Sequence, residues 1–155
     1  MYGEGYQTIQ ELLSGNVQHF TAEIFQNGIS GSFLLVPLTL VLLIKPIATS
    51  LTLAGGGDGG VFAPSLFLGA IAGLLFSHGL NVWISADLIE VNFIIVGMAA
   101  ILGASIHAPL TAIFLTSSIT GSYVLTIPLI LTVFLSKIIS KKILPYTVYS
   151  YLRLK

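Results

Sequence analysis

The stretch Gly55-Gly56-Gly57-Asp58-Gly59-Gly60-Val61-Phe62-Ala63-Pro64-Ser65-Leu66-Phe67 joins a glycine loop to an apolar run that continues to Ile84. Glycines ahead of a helix let the backbone bend and approach a neighbour closely. Pro64 suits the first turn of a helix, where a missing N–H leaves no carbonyl without its partner. The N–H groups of Val61 and Phe62 then point outward from the positive end of the helix dipole, an arrangement that attracts anions. Amides carry no net charge, which suits an ion that must bind and leave again. A plainer reading stands beside this one. The glycines form a turn that lets helices cross closely, and Gly69 and Gly73 have the small-xxx-small spacing of a packing stripe. Spacing alone leaves both open.

Composition fixes the surroundings of this stretch. Of 155 residues, 55% are hydrophobic and 8% charged, with a mean hydropathy of +0.97. Soluble domains carry about 25% charged residues, so much of this exterior must face lipid. The chain lacks cysteine, which removes disulfide frameworks, thiolate metal sites and cysteine nucleophiles. Its net charge is zero and no basic stripe accompanies an aromatic platform, so nucleic acid is not an expected partner. No signal peptide is recognisable at the start, and Met1 need not be the natural first residue. Lys137, Lys141, Lys142, Arg153 and Lys155 crowd the C-terminal end, and Lys45 is the only other basic residue. The positive-inside rule then places the C-terminus in the cytoplasm.

The chain divides into a polar region, residues 1–31, with short helices expected at 6–13 and 17–26, and a transmembrane helical core, residues 32–155. Within the core, apolar runs cover residues 32–53, 61–84, 93–106, 108–120 and 123–144. Pro37, Lys45 and Pro46 interrupt the first run, Gly103 and Pro109 bracket a break, Gly121 marks another, and Pro128 lies inside the last. The 93–106 and 108–120 runs are too short for a bilayer core of about 30 Å, which needs about 20 helical residues. A broken helix at membrane depth requires protein or a watery cavity to satisfy the freed backbone groups. Transporters use such breaks to aim half-helices at anions. A bundle of tilted or re-entrant helices with no ligand fits the same pattern. The expected fold class is an all-α membrane protein built from tilted, broken and re-entrant helices.

Several matches in order resemble the ClC family of chloride channels and chloride/proton antiporters. Gly60-Val61-Phe62-Ala63-Pro64 matches the family's GxFxP motif. Residues 43–53, with Lys45, are similar to the helix leading into the glycine loop. Val96-Gly97-Met98-Ala99-Ala100 followed by Ala108-Pro109-Leu110-Thr111-Ala112 resembles GMAA…APLT. Pro128-Leu129 begins a run like the family's penultimate helix, Tyr149 falls where the family has its pore tyrosine, and Gly5-Tyr6-x-x-Ile9-x-x-Leu12 resembles an upstream segment.

The resemblance implies the C-terminal half of a pore domain made of two inverted repeats. It implies chloride as a transported ligand with no cofactor, held by Gly60, Val61, Phe62 and Tyr149, with Gly59, Ala63 and Pro64 shaping the helix start. The amides of Val61 and Phe62 would coordinate the ion, and the Tyr149 hydroxyl, a neutral donor, would donate to it. The expected partners are the lipid bilayer, an N-terminal half of the pore carrying the selectivity serine and the gating and proton glutamates, and a second copy in a homodimer. Residues 109–120 and 124–139 would lie in that dimer interface. The location implied is multi-pass in the cell (inner) membrane.

Other residues carry separate expectations. Asp58 departs from an anion site and is expected to cap a helix or face water. Lys45 could raise the potential for anions, but it lies about 15 Å of helix from Gly55, so it is read as snorkelling or paired with a carboxylate rather than as a ligand. His107 is read as satisfying a loose carbonyl at the Ala-Pro break, and His19 and His78 as facing solvent. Ser117 and Ser118 stand where relatives have a Leu-Glu pair. Three alternatives remain: a pathway for another anion such as fluoride or nitrate, an inactive fragment, and an intramembrane serine hydrolase built on Gly103-Ala104-Ser105. Against the last, Ser105 and His107 are two residues apart and would not share a helix face; an enzyme is not expected.

Overall fold

The computed structural model describes residues 6–14, 35–55, 61–85, 87–121 and 123–146. Among them it has six helices and no strand: α1 (Tyr6–Leu13), α2 (Leu35–Ala54), α3 (Phe62–Ile84), α4 (Glu90–Ile106), α5 (Pro109–Thr120) and α6 (Thr126–Ile143). The expected helix at 17–26 lies outside the described residues. Two of these helices are long and apolar enough to cross a membrane, over Leu35–Thr52 and Phe62–Ile84. At 1.5 Å per residue, α5 with its 12 residues reaches only about 18 Å, short of a bilayer core.

The helix ends follow local chemistry, not the apolar runs alone. α2 passes through Pro46 without ending, where an interruption was expected. Pro46 forfeits one backbone bond, and Thr49 turns its hydroxyl back onto the Lys45 carbonyl at 2.9 Å on the same stretch. Gly103, expected to bracket a break, sits within α4. The break falls at His107 instead, in the left-handed region at φ 55, with its N–H on the Gly103 carbonyl at 3.1 Å. α5 stops at Gly121, φ 62, as the glycine suggests. Pro128 occupies the first turn of α6, where it breaks nothing. Between α3 and α4 the Asn81 side chain clamps Leu88 at both polar groups, accepting from its N–H at 2.7 Å and donating to its carbonyl at 3.0 Å.

α3 and α4 form the centre of the bundle and run antiparallel, since Ser65 meets Ser105 at one end and His78 meets Glu90 at the other. Glycine makes this crossing possible. A Cβ on Gly69 would collide with the Gly97 carbonyl, and one on Gly73 would collide with the Phe93 carbonyl. The backbones touch. α6 runs parallel to α4 and is stitched to it by two hydroxyls, Ser136 donating to the Ala100 carbonyl at 2.8 Å and Ser140 to the Ala104 carbonyl at 2.9 Å. Phe67, Ile71, Leu74, Ile94, Met98 and Leu102 fill the seam between α3 and α4, and Leu129 and Val133 extend the core to α6. α1 contributes as well: Ile9 and Leu12 are buried in the same core.

Much apolar surface stays uncovered. α2 exposes Val36, Leu40, Leu43, Ile44, Ile47 and Leu51, and α6 exposes Ile127, Leu131, Leu135 and Ile143 among others. Patches this large on a water-soluble monomer would be anomalous. They suit lipid or further protein.

Candidate functional site

Val61 is the N-cap of α3, with φ −73 and ψ −17 and no side chain capping the helix. The helical ladder begins at Ser65, whose N–H donates to the Val61 carbonyl at 3.1 Å. The Val61 and Ala63 amides precede that first bond, Phe62 opens the helix between them, and Pro64 has no N–H to offer. The helix therefore starts where the sequence suggested, with Val61, Phe62, Ala63 and Pro64 all half-buried. Gly59, Gly60 and Tyr149 lie outside the described residues, as do Asp58 and His19.

Ser65 anchors this helix start. Its hydroxyl donates back to the Val61 carbonyl at 2.8 Å and lies 3.2 Å from the Ser105 hydroxyl near the end of α4. Ser105 in turn donates to the Leu102 carbonyl at 2.9 Å. Each hydroxyl has a single hydrogen, so the contact between them is made by sharing or by releasing one carbonyl. Nothing in the spacing of the sequence brings Ser65 to Ser105, which are 40 residues apart. Only the antiparallel register of α3 on α4 does so.

The Lys45 ammonium sits over the Phe67 ring, 4.7 Å from the centroid, and among the described residues no carboxylate pairs with it. Phe67 is 2% exposed, so the ring is held by the core. The seat combines a half-buried cation, a fixed aromatic face and a position just beyond the first turn of α3.

The histidines also differ from the sequence reading. His78 does not simply face solvent: its Nδ1 lies 2.8 Å from Oε1 of Glu90. His107 meets a hydroxyl, with Nε2 3.3 Å from Ser140 Oγ, not a carbonyl. Ser105 and His107 thus point to different partners, on α3 and α6, and do not form a nucleophile–base pair. Thr116 and Ser117 are buried on α5 without a hydrogen-bond partner for either hydroxyl. Among the described residues, two apolar hollows lie away from the helix start, about 480 Å³ between α4 and α6 and about 170 Å³ between α5 and α6.

Comparison with known proteins finds relatives by sequence. The profile of a family described as voltage gated chloride channel matches residues 1–141. A ClcB-like chloride channel protein of Ralstonia nicotianae is 38% identical over 128 residues, covering 77% of this chain and 30% of the relative. A voltage-gated ClC-type chloride channel ClcB of Escherichia coli O81 is 31% identical over 146 residues, covering 89% of this chain and 35% of the relative. The chain thus spans about a third of the length of these curated relatives. No solved structure matches.

Proposed function

Because the chain belongs to the voltage-gated chloride channel (ClC) family, we propose that it forms one side of a pathway carrying chloride, or a related small anion, across a membrane. The observation that supports this is the start of α3: an N-cap at Val61 with no side-chain cap and amides ahead of the first helical bond at Ser65. Such a terminus presents N–H groups and the positive end of a helix dipole, which together favour an anion without binding it irreversibly. In this reading Gly60, Val61 and Phe62 surround the ion and Tyr149 donates its hydroxyl, while Gly59, Ala63 and Pro64 shape the approach. No group undergoes a covalent change. The residues bind, orient and release.

The remaining parts of the proposal follow from length and surface. The other side of the pathway comes from a further segment of the protein, since the matched relatives are about three times as long as the matched region. The uncovered apolar faces of α2 and α6 meet lipid, that segment or a second copy in a dimer. The C-terminal lysines face the cytoplasm of a cell whose inner membrane holds the protein.

Val61→Pro tests the amide directly. The native φ of −73 is close to the −65 or so that proline imposes, so the substitution removes a donor with little backbone strain. Calorimetric chloride binding by the intact protein should weaken in Val61→Pro and in Tyr149→Phe. Unchanged binding in both variants removes these residues from the site. Chloride efflux from proteoliposomes with simultaneous pH recording separates a channel from a proton-coupled exchanger.

A further inference from the structure

A lysine within an apolar span needs a partner, and the kind of partner decides what its charge does. Lys45 belongs to the Leu35–Thr52 stretch that is long and apolar enough to cross a membrane. Its Nζ rests 4.7 Å from the centroid of the buried Phe67 ring. Among the described residues the one contact of a basic side chain with a carboxylate joins His78 and Glu90, at the far end of α3, so no described carboxylate cancels the Lys45 charge. A carboxylate would neutralise the ammonium and leave a dipole with a short-ranged field. An aromatic face holds a cation through its quadrupole and leaves the net positive charge intact.

The seat also fixes where that charge acts. Phe67 lies five residues beyond Phe62, the first residue of α3, which is about 7.5 Å along the axis. The ammonium is therefore on the order of 10 Å from the helix start, on the same half of α3 as its positive dipole end. That is too far for ligation and close enough for a through-space effect.

We infer that Lys45, seated on the Phe67 ring, is a positioning residue for the anion. It supplies a positive charge, neutralised by no described carboxylate, that raises anion occupancy at the start of α3 without touching the ion. The inference rests on the reading that α3 begins at an anion site, and it adds a residue to that site. A unit charge at about 10 Å, with an effective permittivity between about 20 and 80, changes the affinity of a monovalent anion by about twofold to twentyfold. A charge acting at this distance strengthens every halide by nearly the same factor, so it sets affinity and leaves selectivity alone.

The experiment is halide titration by calorimetry on the intact protein in detergent, comparing native, Lys45→Met, Lys45→Arg and Phe67→Leu forms. Lys45→Met should bind chloride about twofold to twentyfold more weakly, with the bromide-to-chloride affinity ratio unchanged. Lys45→Arg, which keeps the charge and stacks on aromatic faces, should stay within about twofold of native. Phe67→Leu should fall between the two. If Lys45→Met does not fold, Lys45→Gln serves the same comparison. Native-like affinity in the uncharged variant, or an altered halide ratio, overturns the inference while leaving the proposed transport function standing. Absence of chloride binding by the native protein overturns both.

Discussion

Gly69→Ala is the sharpest probe of the seam on which the bundle depends. An alanine Cβ there would collide with the Gly97 carbonyl oxygen, and would lie 2.5 Å from the Met98 Cα and 2.8 Å from the Gly97 carbonyl carbon. All three obstacles are main chain, so no rotamer change relieves them. Ordinary contacts of a Cβ begin near 3.4 Å, and α3 and α4 must part by roughly 1 Å to restore them. Overpacking a tight core costs about 1–3 kcal/mol, and a rigid backbone obstacle places this case at the upper end. With about 2–4 °C lost per kcal/mol in a chain of this size, the midpoint of thermal unfolding should fall by about 6–12 °C. The assay is fluorescence-monitored unfolding in detergent, with Gly121→Ala alongside. Gly121 has φ 62 and open space where a Cβ would stand, so alanine there meets only left-handed backbone strain of about 1–2 kcal/mol. A Gly69→Ala protein as stable as Gly121→Ala would refute the reasoning. Adding Gly97→Ala should cost less than it does alone, because both substitutions press on one contact.

Other substitutions test separate features by the same unfolding measurement. Gly103→Ala puts a Cβ 2.7 Å from a Val133 methyl; because that obstacle is a side chain, Val133→Ala should recover at least about 1 kcal/mol in the double variant. Thr116→Val removes a buried hydroxyl that has no partner, and should be neutral or stabilising by up to about 1–3 kcal/mol; a clear loss of stability would reveal a partner for that group. Ser140→Ala gives up the bond to the Ala104 carbonyl and the contact with His107, and should cost about 1 kcal/mol. The same change at Ser118, an exposed residue on α5, should cost less than about 0.5 kcal/mol.

The fold was legible wherever chain chemistry acts locally. Val61 and Pro64 mark a helix start because a run of glycines precedes them in the sequence and proline tolerates the first turn. Gly121 marks an end because only glycine enters the left-handed region without cost. Gly69 and Gly73 were readable as packing residues by spacing, though not their counterpart across the seam. What the sequence hid was contact between distant residues. Lys45 shows no sign in its neighbourhood that Phe67 will cover it, and His78 gives no hint of Glu90, since both pairs arise from how α2 and α4 lie against α3. Pro46 misled for a related reason: a helix survives one missing bond when its neighbours hold it, and local propensity does not report such support. Of the candidate site, the helix start was foreseen, whereas its Ser65–Ser105 tie was not.

The double grip on α4 has a mechanical consequence. On one flank its main chain is wedged against Gly69 and Gly73; on the other, two serines of α6 hold carbonyls one turn apart. Sliding α4 by a single residue would drive Val96 or Met98 into a gap sized for hydrogen alone and uncouple both serines at once. These three helices therefore travel as a block. Any rearrangement of the bundle has to be accommodated at its margins, where α2 leans on the rest through the buried Leu38 and a lysine resting on a phenylalanine.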